Sequence, residues 1–190
     1  MKLWLVRHAQ PLVAPGVCYG ATDMPADADA TAQAVQTLAS ALPLHLPMRC
    51  SPLQRCEQLA LSLSALRPDL IFKSEHTEPR IAEMNFGEWE GQRWSAISKT
   101  EIDAWTADFA DTRVGVHGES VRMFMQRVDA ALAQWRASGQ DALWVTHAGV
   151  VRAARLLLAG VACPTQAGQW PQQGPGFGEL EVLTSGAQVP

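Results

Sequence analysis

Two pieces of this chain read alike although they stand far apart: residues 3–9 are LWLVRHA and residues 143–149 are LWVTHAG. Each is a short, continuous apolar run of buried-strand type that ends in a histidine just before a loop or helix. A run buried on both faces belongs inside a sheet covered by helices, so the pair predicts an α/β layer with a mainly parallel sheet. In open sheets of that kind, ligands collect outside the carboxyl ends of the strands. His8 and His147 are thereby delivered to one edge, where they can face one another across a site. Either histidine alone reads as a strand-end residue with satisfied ring nitrogens. Both together with Arg7 do not.

The rest of the pattern fits that layer. Helical spacing runs from about Thr31 to Leu42, over residues 53–66 and over 150–158. A long amphipathic pattern covers Glu119 to Arg136, with Gly139 placed as its C-cap. Met48–Ser51 is a short strand-like piece, 69–73 reads as another, and Phe177–Leu183 alternates like a half-exposed strand. Residues 11–29 and about 162–177 are rich in Pro, Gly and Ala and read as surface loops. The Trp-rich stretch 87–110 predicts short helices. No repeat or linker divides the chain, and 190 residues match one compact domain at about 150 residues per domain.

Composition then limits the partners. With 47% apolar and 18% charged residues the chain buries a real core, which excludes a disordered or fibrous class. A net charge of −4 without any basic tract argues against nucleic acid and anionic membrane surfaces. An anionic ligand must therefore find a local basic pocket. The four cysteines show no CxxC spacing, which suits reduced thiols. The N-terminal apolar stretch is too short for a signal-peptide core, and no uncharged run approaches 18 residues. The expected location is the cytoplasm.

Two further residues join the histidines. Ser51-Pro52-Leu53-Gln54-Arg55 opens a helix, so Arg55 lies in its first turn, where the macrodipole disfavours a cation unless an anion is held there. Taken alone, it would read as a surface arginine. Glu83 sits among Ile81, Met84, Phe86 and Trp89, an apolar setting that favours the protonated form of a carboxyl. Glu88 and Glu90 are expected to be solvated.

These residues carry a resemblance. Arg7-His8-Ala9-Gln10 resembles the RHG signature of the histidine phosphatase superfamily, whose fold is phosphoglycerate mutase-like. Ser51 to Arg55 matches its second arginine motif, Glu83 to Gly91 its E-x-x-x-G-x-x-E-G segment, Gly118-Glu119-Ser120 its G-E-S, and Thr146-His147-Ala148-Gly149 its second histidine motif. The matches run in family order from residue 3 to about 155. The chain departs from the pattern with Ala9 and Ala148 where glycine is usual, and with Pro11 and Ala14 where threonine and asparagine are usual. The loop from Pro15 to Asp23 is similar to one in the alpha-ribazole phosphatase branch of cobalamin synthesis.

The resemblance implies a three-layer α/β/α sandwich, a single domain over residues 1–190 with about 84–118 as a small cap. It implies phosphomonoester hydrolysis through a phosphohistidine. Arg7 and Arg55 would grip the phosphate with planar donor forks. His8 would attack phosphorus, while His147 and the amides from Ala148 onward would stabilise the equatorial oxygens. Glu83 would protonate the leaving oxygen and then serve as base toward water. Gln10, Tyr19, Gly20 and Trp89 are the expected lining of the leaving-group side. No metal or other cofactor is needed, since side chains neutralise the charge. The expected partner is a small phosphomonoester, with a homodimer left open. Three rival readings stand beside this one. A metal hydrolase would need ligand spacing that the five histidines lack. A phosphate-binding module would have no use for a proton donor. A mutase, or a broad-specificity phosphatase, differs by substrate and by the room for a cap between residues 84 and 146.

Overall fold

The computed structural model describes residues 1–185, so 186–190 of the expected domain lie outside the described residues. Four strands form the sheet: β1 (Lys2–Arg7), β2 (Met48–Cys50), β3 (Ala142–Thr146) and β4 (Leu180–Thr184). Their order is β2-β3-β1-β4, with β1 parallel to β3, β3 parallel to β2, and β4 antiparallel at the edge. Five α-helices accompany them: α1 (Ala28–Ala41), α2 (Gln54–Leu66), α3 (Lys99–Ala107), α4 (Val121–Ser138) and α5 (Ala148–Leu158).

Alternation along the strands builds two cores. Trp4 and Val6 of β1, with Leu143 and Val145 of β3, pack under Val35 and Leu38 of α1 and Leu59 and Leu63 of α2. Leu3 and Leu5, with Trp144, point the other way onto Phe124, Val128 and Leu132 of α4 and Val150 and Val151 of α5. Both faces of the sheet are thus covered, which makes the three layers. Met84, Trp89, Ile97, Phe109 and Val114 belong to the second core.

Local signals fix most boundaries. Asp27 caps α1 by accepting from the Ala30 amide, so the helix begins ahead of Thr31. Gly139 ends α4 in the left-handed region at φ 67°, the conformation glycine adopts without a Cβ penalty. Residues 69–73 are not a strand. Leu70 is buried, but the Phe72 amide donates to the Ser64 hydroxyl at 2.8 Å instead of to a neighbouring strand. A side-chain acceptor has taken the place of a ladder. Among the described residues, no helix is long and apolar enough to cross a membrane.

Candidate active site

The parallel register brings three strand ends together. Arg7 pairs with Thr146, and the His8 amide continues the ladder by donating to the Thr146 carbonyl at 3.0 Å. The next residues along, His8 and His147, therefore stand side by side, with ring centroids 5.1 Å apart. On the other side of β3, the Ser51 amide donates to Val145 at 3.0 Å, and the Ser51 hydroxyl lies 2.7 Å from His147 Nε2.

His8 is held in one orientation. Its Nδ1 lies 2.7 Å from the Ala9 carbonyl, which can only accept, so Nδ1 carries the proton. Arg55 Nε donates to His8 Nε2 at 3.3 Å, so that nitrogen presents its lone pair. Burial, with help from Arg55 and Arg7, lowers the His8 pKa to about 3. Burial likewise holds His147 well below its ordinary value, with His8 and Arg55 adding to the effect. Both rings are neutral near pH 7. The unfolded chain, by contrast, takes up these protons below about pH 6.5. The stability tied to the neutral rings is therefore full above that pH and is lost as pH falls toward 3. Urea melts between pH 6.5 and 5 should lose about 1.4 kcal/mol per pH unit for each ring, and His8→Ala should remove one ring's share. An unfolding free energy that is flat over that interval would mean that the rings are protonated in the fold.

Arg55 is fully buried and, among the described residues, has no carboxylate partner. Its Nη1 donates to Thr22 at 2.9 Å and its Nη2 to Gly20 at 2.6 Å, while its Nε reaches His8. Arg7 donates from Nη1 to the Pro175 carbonyl at 3.0 Å, and Phe177 lies over its guanidinium at 3.7 Å. Burial pulls the Arg7 pKa down, and Tyr19 and Glu83 oppose that. Two planar cations thus flank a neutral imidazole, an arrangement that suits an oxyanion.

Glu83 arrives from the segment after Ile81, whose carbonyl accepts from the Thr146 hydroxyl at 2.7 Å. Its carboxylate is half-buried and accepts from the amides of Gly149 at 3.1 Å and Met84 at 3.0 Å, so its setting is less apolar than the sequence suggested. A methyl group at Gly149 would stand 2.1 Å from Glu83 Oε1, so the approach depends on the missing side chain.

Arg7, His8, Tyr19, Glu83, Ala148 and Arg152 line one end of a cavity of about 450 Å³. Phe86, Trp94, Trp105, Phe109, Phe124 and Trp170 are among the residues around the rest of it. A more open groove of about 540 Å³ along α1 and α2 has no charged lining residue.

Not every residue expected at the site lies on this cavity: Arg55 and His147 are fully buried beside His8 and are not among its lining residues. Trp89 is 3% exposed and donates from its indole to Glu101 at 3.1 Å, which turns it into the core. Gln10 is exposed and borders a different depression, beside Phe177 and Glu179. Gly20 stands behind the wall as an acceptor for Arg55, where a Cβ would lie 1.9 Å from the Met84 carbonyl. Glu90 is not solvated either: it accepts from the amides of Ala21, Thr22 and Phe86 and from the Thr22 hydroxyl. Burial works to raise its pKa, but these donors outweigh burial and hold it below the ordinary carboxylate range. Ser51, Arg152 and Phe177 were missed as site residues. Of these, only Arg152 left a sequence signal, four positions after Ala148 on one helix face.

Residues 3–174 match the histidine phosphatase superfamily (branch 1), and the chain belongs to that family. It is a phosphatase of the phosphoglycerate mutase-like fold. Among relatives, it is 30% identical to the adenosylcobalamin/alpha-ribazole phosphatase of Salmonella typhimurium strain LT2, over 98% of each chain. The alpha-ribazole phosphatase structure from Shigella flexneri superposes with a TM-score of 0.77 at 26% identity, covering 96% of this chain and 89% of that one. A phosphoglycerate mutase structure from Thermus thermophilus gives a TM-score of 0.67 at 31% identity, with coverage of 87% and 89%.

Proposed function

We propose that this enzyme hydrolyses alpha-ribazole 5'-phosphate, or a closely similar 5'-phosphate ester with a flat aromatic base, in cobalamin synthesis. The observation that carries the reading is His8 with Nε2 as its acceptor nitrogen, met by Arg55 and placed with Arg7 at one end of an aromatic cavity. Supporting it are the names and near-complete overlap of the Salmonella and Shigella relatives.

In the first step Nε2 attacks phosphorus in line, and the bond from phosphorus to the ester oxygen breaks. Arg7 and Arg55 hold the non-bridging oxygens, and His147 with the start of α5 adds donors where charge builds. The electron pair left on the ester oxygen takes a proton from Glu83. In the second step Glu83 accepts a proton from water as the water attacks the phosphohistidine, which returns His8 to its starting form. The segment from about 84 to 118 serves as the cap, since Phe86, Trp94, Trp105 and Phe109 wall the leaving-group side.

Similarity to the mutase from Thermus thermophilus gives a second reading, phosphate transfer between positions of a glycerate. One screen separates the two. With chelator present throughout, kcat/KM for alpha-ribazole 5'-phosphate should exceed that for 3-phosphoglycerate by about 10²-fold or more, a difference worth about 2.7 kcal/mol of transition-state binding. Conversion of 3-phosphoglycerate to its isomer, or activity that chelation abolishes, would overturn the proposal.

A further inference from the structure

Arg127, on α4, has every one of its five N–H donors engaged. Nε donates to Glu119 Oε1 at 2.7 Å, and Nη2 donates to Glu119 Oε2 and to the Glu83 carbonyl, both at 2.9 Å. Nη1 donates to the carbonyls of Arg80 at 2.8 Å and Ala82 at 2.7 Å. Glu119 completes the grip: its Oε2 accepts from the Asn85 amide at 2.9 Å, and its own amide donates to the Asn85 carbonyl at 2.8 Å. The backbone is therefore held at residues 80, 82, 83 and 85, on both sides of Glu83.

A surface ion pair would need only the two contacts with Glu119 and would contribute about 0–1 kcal/mol. Here three donors go to main-chain carbonyls of one short segment. That segment belongs to no strand, and past the turn Pro79–Ile81 it has no regular element to fix it. Without Arg127 those carbonyls lose a partner in a half-buried place. A lysine could keep the charge pair with Glu119, but it has no planar fork to reach three carbonyls. Proton transfer to a leaving oxygen demands sub-ångström placement of the donor, so an unfastened segment would cost rate without altering phosphate binding.

We propose that Arg127, fixed by Glu119, is a positioning residue for Glu83, setting the carboxyl at the leaving oxygen by clamping the main chain around it. The inference rests on the reading of Glu83 as the proton donor. The two are tested together with Glu83→Gln, Arg127→Lys and Glu119→Gln, each assayed on an alkyl phosphate and on 4-nitrophenyl phosphate, with melting temperatures recorded. Arg127→Lys should lower kcat/KM on the alkyl ester by about 10²-fold, with kcat/KM on the nitrophenyl ester within about 3-fold of wild type, since kcat/KM ends at phosphohistidine formation, where the aryl ester scarcely needs the proton. Glu119→Gln leaves the three carbonyl acceptors of Arg127 in place but sets an amide N–H against a donor of Arg127 or Asn85, and should show the same selectivity with a smaller loss. Equal loss on both esters, or full alkyl activity in Arg127→Lys, would overturn the clamp. If Arg127→Lys does not fold, Glu119→Gln decides: non-selective kinetics in that variant overturn the inference. If Glu83→Gln itself fails to separate the esters, the proton-donor reading falls first. If it separates them and the clamp variants do not, the clamp alone falls.

Discussion

His8→Ala is expected to lower turnover by about 10⁴-fold or more, because in the proposed mechanism it removes the atom that forms the covalent intermediate. Two independent measurements follow the loss. Wild-type enzyme mixed with labelled phosphomonoester and quenched in alkali should carry label on protein that is stable to base and released by acid, as a phosphorus–nitrogen bond is. The alanine variant should carry none. Inorganic phosphate should still bind the variant, because Arg7 and Arg55 keep their anchors at Pro175, Gly20 and Thr22. Label of the same stability on His8→Ala would remove His8 from the nucleophile's role. Loss of phosphate binding together with turnover would point instead to collapse of the Arg55 contact with the ring.

The second large effect depends on the substrate. An alkyl phosphate departs as a basic alkoxide and needs a proton in the transition state, whereas a nitrophenyl phosphate departs as a stabilised phenolate. General acid help is worth about 10²–10⁴-fold, and only in proportion to the charge developing on the departing oxygen. In kcat/KM, which ends at phosphohistidine formation and so leaves out the second step that Glu83 serves for every ester, Glu83→Gln should cost the alkyl ester about that factor and the aryl ester far less. The amide side chain keeps the volume that Gly149 accommodates and can still accept from its N–H, so little stability should be lost. Parallel losses of kcat/KM at an unchanged melting temperature would assign Glu83 to positioning and leave another group to supply the proton.

The strand ends were legible because buried parallel strands are nearly continuous apolar runs, and a histidine after such a run marks its carboxyl end. Arg55 was legible for a similar reason, since Pro52 sets the start of α2 within two residues. The Trp-rich stretch was harder. Trp89 and Trp94 sit in short 3₁₀ turns with no helical period to tell inward from outward. The Trp89 indole went to Glu101 and the core, while Trp94 went to the cavity. Ser51 reaches His147 only through the register of β2 on β3, and Phe177 reaches Arg7 only when the loop before β4 folds back. Neither arrangement is written in local spacing. Glu90 looked solvated because its partners, Ala21 and Thr22, come from a loop far away in sequence.

The position of β1 has a consequence for how the enzyme comes into being on the ribosome. The strand that leads into His8 is among the earliest parts of the domain to be made, yet both its sheet neighbours, β3 and β4, are made much later. Until translation passes residue 146, the end of β1 has no histidine beside it. Until it passes residue 178, Arg7 lacks its Pro175 acceptor and its Phe177 cover, and the carbonyls of Arg7 and His8 lack the amide of Gly178. Contacts of such long sequence separation close slowly, because loop entropy is spent before they form. A nascent chain stalled within α5 therefore lacks an assembled phosphate site, which is completed in one step once residues up to 178 have been made rather than gradually along the chain.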